Sequence, residues 1–159
     1  MALKAVILDW AGTVVDFGSR APVIAMQAVF AAAGTAIDEA VVREYMGMAK
    51  REHVVAMLSK PEVSVRWAEA HGREWTQEDV DRLMTALEPA MQNAAADYAE
   101  LIPGAGNAIA AMRASDMRIG STTGYTRSMM TAIAPRAEAQ GYKPDCIICA
   151  DDTVQGRPA

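Results

Sequence analysis

The stretch Ala5-Val6-Ile7-Leu8-Asp9-Trp10-Ala11-Gly12-Thr13 constrains the fold more than any other part of the chain. A short, continuous apolar run fits a strand buried on both faces of a parallel sheet. Such a strand delivers Asp9 to its carboxyl end, the edge of an open α/β sheet where ligands bind. Gly12 then permits a sharp turn and a close approach of backbone to ligand. Taken alone, Asp9 could equally cap the turn.

The rest of the chain supplies the context for that strand. From Ala21 to Ala33 apolar residues recur at helical spacing, with Pro22 in the first turn and Gly34 at the stop. Asp38 reads as the N-cap of a helix through Met46, and Gly47 interrupts. A further helix is expected over Lys50–Ser59, ended by Lys60-Pro61. A segment carrying Trp67, His71 and Trp75 follows. Thr76-Gln-Glu-Asp79 resembles a capping box opening a long helix that Pro89 should kink or split. Residues 19–98 therefore read as helices alone, inserted after a strand.

Beyond Pro103 the pattern changes. A helix opens at Pro103-Gly104-Ala105-Gly106 and reaches about Arg113, and a strand over Met117–Thr123 ends in hydroxyls. A helix over Thr126–Gln140 stops at Gly141, a third strand spans Asp145–Cys149, and a loop follows over 151–158. Alternating strands and helices imply an α/β fold, a doubly wound parallel sheet made by residues 1–18 and 99–159, with 19–98 as an all-helical insertion. Gly104-x-Gly106 lacks the third glycine of a dinucleotide fingerprint.

At 159 residues, 52% hydrophobic and 22% charged, the chain can bury a core of one domain, or of one with an insertion. A net charge of −5 without any basic run excludes a nucleic-acid partner. No apolar stretch is long enough for a membrane span and no signal-peptide pattern is visible, so the expectation is a cytoplasmic enzyme or binding domain. Cys146-Ile-Ile-Cys149 has redox or zinc spacing, but on a strand residues three apart face opposite ways. Zinc would need two more ligands, and core cysteines are the simpler reading.

Chemistry concentrates at the strand ends. The Asp9 carboxylate and the Ser121-Thr122-Thr123 hydroxyls would meet at one rim, a nucleophile with donors to hold phosphoryl oxygens. The two threonines also satisfy ordinary strand preference.

Together with these residues, Met46-Gly-Met-Ala-Lys50, His53, Gly120-Ser-Thr-Thr-Gly-Tyr-Thr-Arg127, Gln140-Gly-Tyr-Lys-Pro-Asp145 and Asp151-Asp152 through Gly156-Arg157-Pro158 resemble the haloacid-dehalogenase-like hydrolase superfamily. Within it they resemble the phosphonoacetaldehyde hydrolase (phosphonatase) branch, over essentially the whole chain. The resemblance implies a HAD-like core with a helical cap, an Asp9 nucleophile passing through an aspartyl-phosphate, and Mg²⁺ held by Asp9 and the backbone carbonyl of Ala11. Gly12, Thr13, Thr123, Gly124, Tyr125 and Arg157 would hold or line the phosphoryl site, and Met46 would line the pocket. Asp151 and Asp152 match the loop before Arg157 rather than the metal motif.

Most relatives carry an acid where this chain has Ala11. A C–P bond offers no bridging oxygen to protonate, so that acid has no ordinary role. The carbon leaving group instead needs an electron sink, which the resemblance implies Lys50 would supply as a protonated imine, although by itself a lysine there reads as a solvated helix residue. His53, at i+3 from Lys50 on one helix face, would relay protons. The amine must be kept partly neutral by desolvation or nearby positive charge.

The implied reaction is hydrolysis of phosphonoacetaldehyde to acetaldehyde and phosphate, in breakdown of 2-aminoethylphosphonate, by a homodimer. The alternatives are a phosphatase acting on phosphate esters, or a catalytically silent protein that binds phosphate or a partner. The family's fourth motif, with further Mg²⁺-binding Asp residues, lies beyond the Gly-Arg-Pro loop. The resemblance therefore implies a C-terminally truncated chain with weak Mg²⁺ binding, little turnover and an unpaired edge beside the Asp9 strand.

Overall fold

A computed structural model describes residues 3–152, so Arg157, Gly156 and Pro158 lie outside the described residues. Three parallel strands, β1 (Ala5–Leu8), β2 (Arg118–Thr122) and β3 (Cys146–Ile148), form one sheet in the order β1-β2-β3. The register pairs Val6 with Ile119 and Leu8 with Ser121, then Ser121 with Ile147. Seven helices accompany them: α1 (Arg20–Ala32), α2 (Glu39–Glu44), α3 (Lys50–Ser59), α4 (Pro61–His71), α5 (Gln77–Asp97), α6 (Ala105–Ala114) and α7 (Arg127–Ala139). This is the α/β parallel-sheet class expected from the alternating pattern. Among the described residues no helix is long and apolar enough to cross a membrane.

The chain divides into two compact units, Met1–Ala21 with Ala95–Ala159, and Pro22–Ala94. In the first, Ile119 and Ser121 on one sheet face are buried, and Val6, Leu8 and Ile147 on that face are half-buried. The opposite face is open, with Ile7 70% exposed and Ile148 44% exposed. Burial of β1 on both faces is therefore corrected. Both crossovers step the same way across the sheet, and right-handed connections of that kind lay their helices on one side only. Cys146 belongs to the open face and is exposed, while Cys149 is buried; both thiols are free, and only Cys149 matches the core reading.

The second unit is helical. α3 has the expected bounds, but Pro61 starts a further helix as well as ending one: it occupies the first turn of α4, where its missing N–H costs nothing. α4 stops at Gly72, in the left-handed region at φ +68°. The Asp38 position is an N-cap without a side-chain bond, and α2 ends at Glu44, short of the expected Met46. α5 runs unbroken through Pro89.

At the start of α5 the capping signal is half realised. The Asp79 carboxylate accepts from the backbone N–H of Thr76 at 2.8 Å, from the Thr76 hydroxyl at 3.0 Å and from two Arg73 nitrogens at 2.6 and 2.8 Å; Arg82 donates to it as well. Asp79 is 1% exposed, and its Arg73 partner, with the Thr76 bonds, holds the carboxyl well below the usual carboxylate range. A depressed folded-state value adds stability above the unfolded carboxylate pKa, near ~4, and loses it as pH falls further. Asp79→Asn should lower stability by about 1–3 kcal/mol at neutral pH. The gap to wild type in urea melts should begin to narrow below about pH 4 and close only as pH falls on toward the depressed folded value.

Candidate active site

In the first unit, β1 ends at Leu8 and hands the chain to a tight turn built on one carbonyl. Trp10 is fully buried, and its carbonyl accepts from Thr13, Val14 and Val15 N–H groups at 3.1, 2.9 and 3.0 Å. The Val15 carbonyl accepts from Gly12 N–H at 2.8 Å. Half-buried Asp9 and Ala11 flank Trp10, and Gly12 and Thr13 are exposed. Gly12 has φ +80°, and a Cβ there would meet the Ser19 hydroxyl oxygen at 2.4 Å. Gly12→Ala should therefore cost about 1–2 kcal/mol in chemical denaturation. Adding Ser19→Ala should recover the clash but not the backbone strain.

Beside the turn, the Ser121 hydroxyl donates to the Leu8 carbonyl at 3.1 Å and ties β2 to the end of β1. Thr123 is buried; its Oγ1 accepts from Tyr125 N–H at 3.1 Å, and its own N–H donates to Ile148. Half-buried Thr122 and exposed Gly124 flank it. The buried Tyr125 phenol has no hydrogen-bond partner among the described residues. Burial first, then the charges of Asp16 and Asp9, push its pKa upward. It thus stays a neutral donor beside the Asp9 turn.

Asp16 follows the turn directly after Val15. It is buried at φ +56°, and its carboxylate accepts from Arg20 and Ala21 N–H at 2.8 and 3.0 Å, capping α1. Asp151 and Asp152 also have structural partners. Asp151 accepts from the Arg127 N–H, and Asp152 pairs with the Arg127 guanidinium and accepts from Cys149 N–H.

Asp9 and the Ala11 carbonyl are hard oxygen donors of the type Mg²⁺ takes, commonly with water and substrate phosphate. Among the described residues no cluster of three or more His, Cys, Asp or Glu could hold a metal. The donor chemistry fits Mg²⁺, as a two-donor set.

In the second unit, Lys50 is the first residue of α3 and His53 lies one turn on. Burial pushes the Lys50 amine below the ordinary lysine range. The positive end of the helix dipole acts in the same direction. His53 is fully buried and its Nε2 donates to the Val42 carbonyl at 2.9 Å. A carbonyl only accepts, so Nε2 carries the proton and Nδ1 keeps a lone pair; Nδ1 is buried with no partner among the described residues. Burial, then the Lys50 charge, lower the His53 pKa against the Val42 bond. Half-buried Met46 lies in the turn between α2 and α3, its N–H donating to Arg43. An amine shifted toward its neutral form thus stands one helical turn from an imidazole shifted the same way.

Residues 3–159 match the haloacid dehalogenase-like hydrolase family. The chain is 45% identical over 157 residues to a phosphonoacetaldehyde hydrolase of Paraburkholderia phytofirmans, covering 99% of this chain and 59% of that protein. It is 47% identical over 156 residues to one of Syntrophobacter fumaroxidans, covering 98% of this chain and 56% of the other. A crystal structure of a phosphonoacetaldehyde hydrolase like protein from Oleispira antarctica superposes with a TM-score of 0.89 at 37% identity, covering 98% of this chain and 56% of that one. The chain thus spans less than two thirds of the length of these relatives.

Proposed function

The chain belongs to the haloacid dehalogenase-like hydrolase family, and on that premise we propose that it carries nucleophile and electron sink for hydrolysis of the C–P bond of phosphonoacetaldehyde. The observation that carries this reading is Lys50 at the start of α3, its amine pushed toward the neutral form. The names of the relatives support the substrate. Breakdown of 2-aminoethylphosphonate is the corresponding setting.

The neutral Lys50 amine adds to the aldehyde, and loss of water leaves an imine that takes up a proton. His53 Nδ1 holds a lone pair for these transfers. Asp9 then attacks phosphorus as the C–P bond breaks, and the bonding electrons move into the imine to give an enamine. Protonation at carbon and hydrolysis release acetaldehyde and free Lys50. Water cleaves the aspartyl-phosphate to phosphate. The Ser121–Tyr125 segment and Tyr125 phenol line the phosphoryl end. Asp9 and Ala11 would hold Mg²⁺, which supplies positive charge to phosphoryl oxygens when bound. Residues 22–94 would serve as the helical cap of the Asp9-bearing core.

A phosphate-ester phosphatase would use Asp9 without needing Lys50, and Ala11 leaves it no acid two residues on. Borohydride reduction with phosphonoacetaldehyde separates the two. A stable adduct on the Lys50 peptide supports C–P cleavage; a folded chain without one removes it.

A further inference from the structure

The segment Gln140–Asp145 has no role in the chemistry above, yet two of its side chains support the turn that carries Asp9, Tyr142 directly and Gln140 through residues 99–102. Gln140 grips the segment over residues 99–102: its Oε1 accepts from Leu101 N–H at 2.9 Å and its Nε2 donates to the Ala99 carbonyl at 3.2 Å. A third bond, Nε2 to the Arg136 carbonyl at 2.9 Å, anchors the amide on α7. The gripped residues in turn hold the far end of the Asp9 turn. Leu101 bridges Val15, Ile102 N–H donates to the Val14 carbonyl at 2.8 Å, and Asp16 N–H donates to Glu100 at 3.2 Å.

Two residues further on, Tyr142 supports the near end. It is 1% exposed, and its ring meets Trp10 edge-on with centroids 4.9 Å apart. Gly141, at φ +100°, lets the chain leave α7 and swing that ring inward. The buried Tyr142 hydroxyl has no hydrogen-bond partner among the described residues. Asp145 completes the segment by accepting from Ile119 N–H at 2.8 Å and from Arg113 at 2.7 Å, which fixes the start of β2.

We infer that Gln140 and Tyr142 are positioning residues for Asp9: one holds Val14–Asp16 through the 99–102 segment, the other holds Trp10 directly. The Trp10 carbonyl is the hub of the turn, so both ends of the Asp9 segment are clamped from one short stretch. The inference rests on reading Asp9 as the phosphoryl acceptor, while its structural part is measured separately.

The test combines amide hydrogen exchange with binding of beryllofluoride, a phosphoryl mimic, in the presence of Mg²⁺. Gln140→Met and Tyr142→Leu should each speed exchange at Thr13, Val14 and Val15 at least tenfold. Ala108 in α6 and Ser64 in α4 should keep wild-type protection. Both variants should weaken beryllofluoride binding by a similar factor, and Tyr142→Phe, which keeps the ring, should behave as wild type in both measurements. Unchanged exchange at the turn, or a uniform rise at all five amides, overturns the inference. If wild type binds no beryllofluoride, the Asp9 reading fails, and the exchange pattern still decides whether the clamp exists.

Discussion

Replacing Lys50 with arginine should eliminate the borohydride-trapped adduct and reduce C–P cleavage on the order of 10³-fold or more, roughly 4 kcal/mol of lost transition-state stabilisation. Arginine keeps the length and the charge but cannot form the imine, so circular dichroism should be unchanged. The other lysines serve as internal controls. Lys60 donates to Glu44 and Glu62 at 2.9 and 3.1 Å, and those bonds raise its pKa. Lys143 donates to Glu138 at 2.6 Å. Lys60 stays an ammonium and should not be trapped. Only the free amine attacks the aldehyde, so a lowered Lys50 pKa raises the reactive fraction near neutrality. Adduct formation should rise with pH and level off below the ordinary lysine value near ~10.4. An adduct rate still climbing at that pH would mean an unperturbed lysine. An equally strong adduct in Lys50→Arg would remove the electron sink from the reading.

What could be read from the sequence divides along physical lines. β1 and α3 were legible because local patterns decide them: an apolar run ending at Asp9, and a helical segment bounded by Lys60-Pro61. Pro61 also shows the limit of that reading, since a residue that ends one helix suits the first turn of the next. The exposure of Ile7 was not legible, because an apolar run reports its own preference and not which elements cover it. Asp79 announced a cap, but its Arg73 and Arg82 partners depend on how the chain folds around it. Asp9, Lys50 and His53 stood out through chemistry and resemblance. Which His53 nitrogen carries the proton required the Val42 carbonyl to be placed. Gln140 and Tyr142 stood in a segment that carried the resemblance, but their role was not legible, since they act on residues about 40 and 130 positions away.

Asp9→Asn should abolish phosphate release, on the order of 10⁴-fold or more, while leaving the Lys50 adduct intact. The amide is nearly isosteric with the carboxylate, so the turn on the Trp10 carbonyl should survive and amide exchange at Thr13–Val15 should match wild type. Asparagine cannot form an aspartyl-phosphate, and it is a poorer ligand for Mg²⁺. Imine formation needs only the amine and the aldehyde. The two variants therefore separate steps that a single activity measurement would merge: Lys50→Arg blocks the chain before the C–P bond is primed, and Asp9→Asn blocks it after. A double variant should be no worse than the poorer single one, because residues acting in one sequence of steps lose the same stabilisation only once. Single-turnover phosphate release with parallel adduct mass measurement checks both. Loss of the adduct in Asp9→Asn would show that the carboxylate is needed to form the imine. Undiminished phosphate release would show that another group accepts the phosphoryl.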